Sequence, residues 1–282
     1  MTIDASEFRA KQRDQWNVAA GGWRKWNELI DAGTSEVSAR LVALAGVQPG
    51  HRVLDVACGY GEPSLTAARA AAPGGSVTAT DISAQMIAFG RERAAAAGVE
   101  NIEWVESGVS DLDYPDDTFD AAVSRFGIIF DPDGEGSAGH VRAFLKPGAR
   151  FAIASWGTPD EVPFLSIPMR TAMQKLDVPP PPPGTPGPLS RPTPEALGGL
   201  LEGGGFGDVQ VERMEVSLGF ASPEEFTTFV REIAPPISSM IEPHPQDVQD
   251  ATWAAITDAV REHAGAGEVR FTNVVLLASG SA

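Results

Sequence analysis

The stretch VLDVACGYGEPS runs from Val53 to Ser64. An apolar run ends in a turn of small residues, and a helical pattern succeeds it. Strand, glycine turn and helix in that order form the opening unit of an open α/β sheet, whose glycines let the backbone approach a ligand at a helix N-terminus. Glycine stands at Gly59 and Gly61, while Ala57 occupies the place where such loops carry their first glycine. The two residues after Gly61 restrict the ligand. A pyrophosphate needs free N–H groups at the positive end of the helix. Here Glu62 brings a negative charge and Pro63 removes a donor, and there is no Gly-Lys-Ser/Thr that would make a P-loop.

Outward from this loop, strands and helices alternate. Residues 52–57, 76–80, 101–106, 119–124 and 150–155 read as strands. Residues 62–72, 83–97 and 136–145 read as helices, the second capped by Ser83 and the third stopped by Pro147-Gly148. Such alternation predicts a doubly wound, parallel sheet. Upstream, Trp16, Trp23 and Trp26 share one helical face, and Gly21-Gly22 predicts a break into two short helices. Downstream, residues 179–188 (PPPPPGTPGP) predict a polyproline-like loop. Thr193 and Pro194 open a short helix, and residues 208–220 form a long strand pattern. Ser222 and Glu225 make a capping box, residues 246–263 an amphipathic helix, and residues 269–278 a closing strand. The expected organisation is a helical lid over 1–45, a Rossmann-like core over 46–157 and a proline-rich cap over 158–192. Residues 193–282 then complete the sheet and insert cap helices, all within one structural domain.

Composition narrows the partners. The chain has 282 residues, 43% of them apolar, and a formal net charge of −17. That charge repels phosphate backbones, so nucleic acid is not an expected partner. The single cysteine, Cys58, excludes an intramolecular disulfide and any multi-cysteine metal site. No metal-ligand cluster stands out. The N-terminal residues lack the apolar core of a signal peptide, and no run of 18 apolar residues exists. A cytoplasmic protein without a membrane span is expected.

The second strand pattern ends in TATDIS, with Asp81 at its tip, 26 positions after Asp55. A carboxylate there is placed to accept hydrogen bonds from the two hydroxyls of a ribose. An adenosyl ligand without phosphate and with a cationic centre, S-adenosylmethionine, meets both conditions, since Glu62 is harmless to a sulfonium and an ammonium.

With VLDVACGYGEPSLTAA, TATDISAQMI, YPDDTFDAAVSRFGIIF, FLKPGARFAIASW and the W-x6-W-x2-W segment, the chain resembles class I S-adenosylmethionine-dependent methyltransferases. Within them it is most similar to the ubiquinone/menaquinone-type small-molecule branch, over about residues 12–160. The resemblance implies a seven-stranded sheet, mostly parallel with its last strand antiparallel, with N-terminal helices and inserted cap helices. It implies that Ala57, Gly59 and Gly61 line the methionine moiety and that Asp55 orients the loop beneath it. Asp81 would hold the ribose and Ile82 would pack on the adenine. Ser107, Gly108 and Val109 would hold the adenine edge, and Ser124 would offer its carbonyl near the ammonium. Many relatives carry Asp where Gly108 stands, which leaves Ser107, Ser110, Asp111 or the backbone for the adenine amino group.

Methyl transfer needs positioning above all, and a base only when the acceptor must lose a proton. Of the histidines, His51 precedes the first strand, His140 sits in a core helix and His263 near the end of an exposed one. His244 remains as candidate base. Trp16, Trp23, Trp26, Phe126, Phe130, Trp156, Phe164, Met169 and Met173 are the candidate acceptor wall, suited to an apolar or aromatic molecule. Arg125 could pair with an acidic group of the acceptor or with Asp131. The expected function is methyl transfer to O, N or C of a small metabolite, as in quinone pathways or secondary metabolism. The alternatives are a non-catalytic S-adenosylmethionine-binding scaffold and, against the electrostatics of Glu62 and Pro63, a nicotinamide oxidoreductase.

Overall fold

The computed structural model describes residues 4–182, 184–265 and 267–282; residue 183 of the proline run and residues 1–3 of the N-terminal segment lie outside the described residues. The first strand, β1 (Arg52–Val56), has four of its five residues buried, as an apolar run covered on both faces requires. It pairs in parallel with β2 (Ser76–Asp81) on one side and β4 (Phe119–Arg125) on the other. Beyond these lie β3 (Ile102–Glu106) and β5 (Leu145–Trp156), also parallel. The last strand, β7 (Val269–Ser281), runs antiparallel between β5 and β6 (Gly207–Phe220). The order is β3-β2-β1-β4-β5-β7-β6, a seven-stranded sheet among the described residues. The chain reverses its direction of winding between β1 and β4, which opens a crevice at the carboxyl ends of those strands.

Helices cover both faces. One face carries α1 (Ala5–Leu44), α2 (Ser64–Ala71) and α3 (Ala84–Ala96). The other carries α4 (Gly134–Phe144) and α6 (Pro194–Gly203). The predicted caps are present: Ser83 Oγ accepts from Met86 N–H, Thr193 from Ala196 N–H and Ser222 from Glu225 N–H. Between β5 and α6 lies α5 (Pro163–Lys175), and between β6 and β7 lie α7 (Pro223–Ile233), α8 (Pro235–Ile241) and α9 (Gln246–Ala264). The described part of the proline run forms neither helix nor strand. Gly187 N–H of the run and, two residues past its end, Ser190 Oγ both donate to Ile129 O after β4, at 3.4 and 2.8 Å. No helix of the described residues is long and apolar enough to cross a membrane.

Three elements differ from expectation. The tryptophan segment is one helix of 40 residues, not two. Gly22 does not break it because its missing side chain serves packing: a Cβ there would stand 2.2 Å from Glu232 O on α7. The helix α5 is absent from the sequence reading, although Pro163 sits at its first turn, where a missing N–H costs nothing. Finally, α4 ends at Phe144, before the Pro147-Gly148 pair, and β5 begins at once through an irregular pairing near Phe119.

Candidate functional site

The loop after β1 is shaped by unusual backbone angles. Ala57, Gly59 and Gly61 all have positive φ, of 57°, 52° and 105°. This is the left-handed region that glycine enters freely and alanine does not. Ala57 also explains a second glycine: a Cβ at Gly127, after β4, would lie 2.4 Å from the Ala57 Cβ. We expect Ala57→Gly to stabilise the fold by about 1 kcal/mol by relieving the left-handed alanine. Thermal unfolding would register this as a rise of a few degrees, and an unchanged or lower Tm would show that the methyl's contacts outweigh the strain.

Asp81 joins the tips of β1 and β2. Its Oδ2 accepts from Gly59 N–H at 2.8 Å and its Oδ1 from Ser83 N–H at 2.8 Å. Both bonds are to rigid backbone, so the carboxylate is fixed, and each oxygen keeps a lone pair for a further donor. Burial pushes its pKa up to about 6, against the pull of those two N–H groups. Asp55 lies fully buried under the loop, where burial raises it to about 7. Its Oδ2 accepts from Ser64 Oγ at 2.5 Å, while Oδ1 has no partner among the described residues.

A cavity of about 250 Å³ opens over these groups. Ala57, Gly59, Asp81, Ile82, Ser107, Gly108 and Val109 line it, as do Trp16, Trp23, Phe126, Phe130, Trp156, Phe164 and Met169. Strand and helix ends far apart in sequence thus bring together seven of the expected cofactor contacts and seven of the expected acceptor contacts. The others lie elsewhere. Asp55 and Ser124 are buried below the lining; Ser124 Oγ accepts from Ile128 N–H. Gly61 does not line the cavity; its φ of 105° favours glycine, and a Cβ there would also crowd the Trp104 ring at 3.1 Å. Trp26 turns to α7, where its indole N–H donates to Glu232 at 2.5 Å. Met173 lies one turn beyond Met169 on α5, off the cavity wall. His244 sits in the turn between α8 and α9 and does not line the cavity, so its geometry gives it no access to a reacting proton. His140 is bonded to Leu112 O and His263 is stacked on Phe271.

The wall has a flat floor. Phe126 and Trp156 stack with ring centroids 4.4 Å apart and planes 3° from parallel. Phe126 holds a positive φ of 60°, uncommon for a bulky residue and of the kind concentrated at binding sites. Trp16 meets Phe130 edge-on at 5.4 Å. The cap adds Phe229, Ile233 and Ile237, and the proline-rich loop adds Pro188 and Leu189. None of these could be assigned from local sequence, because only the topology brings them over the sheet edge.

The polar groups at the wall are few. Arg9, from the start of α1, pairs with Asp131 at 3.0 Å and ties the helix across the loop after β4. Arg125 therefore does not take Asp131; it donates to Thr34, Ser38 and Tyr60 instead. The Tyr60 hydroxyl, raised to about 12 by burial, donates in turn to Asp31 at 2.8 Å. Glu62 also faces the cavity, with its carboxylate held by Thr66 Oγ1 at 2.8 Å. Burial pushes the Cys58 thiol well above its usual range, so it is no nucleophile. Among the described residues, no group of three or more His, Cys, Asp or Glu could hold a metal ion.

Gly108 carries no side-chain acceptor, and Asp111 Oδ2 stands 3.3 Å from where a Cβ at Gly108 would lie. Asp111 belongs to the short 3₁₀ turn Val109–Asp111 and does not itself line the cavity.

Known proteins share this fold. The chain is 34% identical over 161 residues to an uncharacterized protein of Mycobacterium tuberculosis, a match covering 55% of this chain and 56% of that protein. It is 31% identical over 160 residues to the ubiquinone/menaquinone biosynthesis C-methyltransferase of Pasteurella multocida, covering 56% and 60%. The chain thus spans less than two thirds of the length of these curated relatives. Among solved structures, the [4+2]-cyclase SpnF has a similar fold, with a TM-score of 0.53 and 18% identity over 87% of this chain and 80% of that one. So has phosphoethanolamine N-methyltransferase 2 of Haemonchus contortus, solved with phosphomonomethylethanolamine and S-adenosylhomocysteine; the TM-score is 0.51 and the identity 19%, over 91% and 52%. The family model for ubiE/COQ5 methyltransferases matches residues 17–173, the segment that builds the β1 loop, the Asp81 clamp and the Phe126–Trp156 floor, and the chain belongs to that family.

Proposed function

We propose that this chain transfers the methyl group of S-adenosylmethionine to O, N or C of a small apolar or aromatic metabolite. The observation that carries the reading is Asp81, a fixed and buried carboxylate at the edge of a mainly apolar cavity. The residues present fit this cofactor. Asp81 has lone pairs left for two ribose hydroxyls, Asp111 stands close behind Gly108 on the lining, and Asp55 holds a buried oxygen under the loop that has no partner among the described residues. Glu62 on the cavity wall suits a cationic ligand and repels a pyrophosphate. When bound, the cofactor supplies an electrophilic methyl whose leaving group is a neutral thioether.

The chain's own contribution is placement. Phe126 and Trp156 offer a plane for an aromatic ring, and the cap residues exclude water, so an acceptor atom is held near the methyl. Orientation of this kind reaches effective molarities of about 10⁵ M and more. Among the described residues, no histidine lines the cavity. The reading therefore favours acceptors that ionise by themselves or lose their proton after attack. A cytoplasmic role in quinone or secondary metabolism suits such acceptors.

Incubation with methyl-labelled S-adenosylmethionine and a panel of phenols, amines and quinols tests this. Label in an organic product, with equal S-adenosylhomocysteine released, supports transfer. Cofactor binding without turnover across the panel would instead favour a cofactor-binding scaffold.

Binding should also depend on pH. The carboxylates must be ionised to hold hydroxyls and an ammonium. With Asp81 near 6, affinity for S-adenosylhomocysteine is expected to rise about tenfold between pH 5 and pH 8 from this group alone. The ligand-free fold goes the other way. Folded-state pKa values of about 6 and about 7, both raised above the unfolded value, contribute stability that is present at about pH 4 and lost as pH rises through 6 and 7. Isothermal titration and thermal melts across this range would check both signs, and an affinity flat from pH 5 to 8 would contradict the role given to Asp81.

A further inference from the structure

Arg125 is more than nine-tenths buried, lines the cavity and ends β4 next to Phe126. Its Nη1 donates to Thr34 Oγ1 and Ser38 Oγ, each at 3.0 Å, and its Nη2 to the Tyr60 hydroxyl at 2.8 Å. All three acceptors are neutral hydroxyls. They satisfy three of the five N–H groups of the guanidinium and leave Nε–H and one Nη2–H without a partner among the described residues. Two donors on adjacent nitrogens are what one carboxylate accepts.

The nearby acids do not supply that carboxylate. Asp131 is taken by Arg9. Asp31, which reaches Arg125 only through the Tyr60 hydroxyl, is ion-paired with Arg93. Glu62 lines the same cavity but engages Thr66. The chain Arg93–Asp31–Tyr60–Arg125 therefore ends at the cavity on a guanidinium that no carboxylate contacts among the described residues; Glu62, bonded to the neutral Thr66 hydroxyl, acts on it only from a distance. A buried cation without a contacting counter-charge is costly, and its natural complement is an anion brought by a ligand. Pinning α1 to β4 would need only a neutral donor.

We infer that Arg125 is the carboxylate receptor of the cavity. The inference rests on the adenosyl reading of the site, and the carboxylate has two candidate carriers: the amino-acid end of the cofactor, or an acidic methyl acceptor with an apolar body.

Binding measurements on the full chain and on Arg125→Met separate these. The probes are 5′-methylthioadenosine, which lacks the amino-acid end, S-adenosylhomocysteine, and the pair 2-naphthoate and 2-naphthamide. If the receptor serves the cofactor, Arg125→Met weakens S-adenosylhomocysteine about tenfold or more and leaves 5′-methylthioadenosine unchanged. If it serves the acceptor, the wild-type protein prefers naphthoate over naphthamide by about tenfold or more, and the variant loses that preference. Either result supports the receptor. Unchanged S-adenosylhomocysteine binding together with no charge preference to lose overturns it. Retained 5′-methylthioadenosine binding shows that the variant is folded; Arg125→Gln, which can still donate to the hydroxyls, replaces a variant that is not. Failure of 5′-methylthioadenosine to bind the wild-type protein would sink the adenosyl reading, while the naphthoate pair would still decide on Arg125.

Discussion

Asp81→Ala is expected to weaken S-adenosylhomocysteine binding about a hundredfold or more, since two hydrogen bonds to a charged acceptor contribute about 1.5–3 kcal/mol each and every 1.4 kcal/mol is tenfold. The loss has two sources. The ribose would have no acceptor, and Gly59 N–H, which now donates to Oδ2 at 2.8 Å, would lose the group that fixes the loop. Asp81→Asn separates them. It keeps the shape and one acceptor oxygen but turns a donor toward either Gly59 N–H or the ligand. A near-equal loss in both variants assigns the effect to the charged acceptor. A small loss in the asparagine variant assigns it to shape. Calorimetry on folded protein reads both, and an alanine variant that binds as the wild type does would remove Asp81 from the site.

The second large effect concerns the helix that roofs the cavity. Gly21 and Gly22 are neighbours in the middle of α1, where alanine is intrinsically about 1 kcal/mol better than glycine. A Cβ at Gly21 would meet nothing within 4 Å. One at Gly22 would lie 2.2 Å from Glu232 O, a backbone atom of α7 that cannot swing away. The two helices are also joined by Trp23 Nε1, which donates to Ile233 O at 3.1 Å, and by Lys25 and Trp26 at the Glu232 carboxylate. Gly21→Ala is therefore expected to raise stability by about 1 kcal/mol. Gly22→Ala is expected to lower it by about 1–3 kcal/mol as the helices are forced apart. It would also loosen the cavity, because Trp23 and Ile233 both line it. Denaturant unfolding of the two variants checks the opposite signs. Equal shifts would mean that α1 and α7 do not pack this closely.

The same glycine pair marks where the sequence stops being legible. Signals that depend on residues within a few positions of each other are sound: the β1 loop, Asp81 at the tip of β2, and the caps Ser83, Thr193 and Ser222. Gly22 depends on a backbone oxygen contributed by α7, some 210 residues away in the similar contact of Trp23 with Ile233, so it reads as a breaker. Gly61 reads as a ligand contact, yet it is off the cavity wall, with a left-handed backbone angle and Trp104 on β3 close behind it. Prolines conceal α5, although Pro163 and Pro168 both belong to it. In the site, the residues at strand tips are legible, because parallel strands end on one edge. The cap is not: Phe229, Ile233 and Ile237 come from helices inserted between β6 and β7, and only the antiparallel return of β7 folds them over that edge. Arg125 is visible as a charge beside the site, but its partners on α1 and the glycine loop are not.

On this account the β1–β2 edge holds an adenosyl ligand without phosphate. Calorimetric titration of the ligand-free full chain with S-adenosylhomocysteine and, separately, with NAD tests it most directly. Saturable 1:1 binding of S-adenosylhomocysteine and none of NAD is the predicted result. Binding of NAD, or no S-adenosylhomocysteine binding by protein shown to be folded, would contradict it.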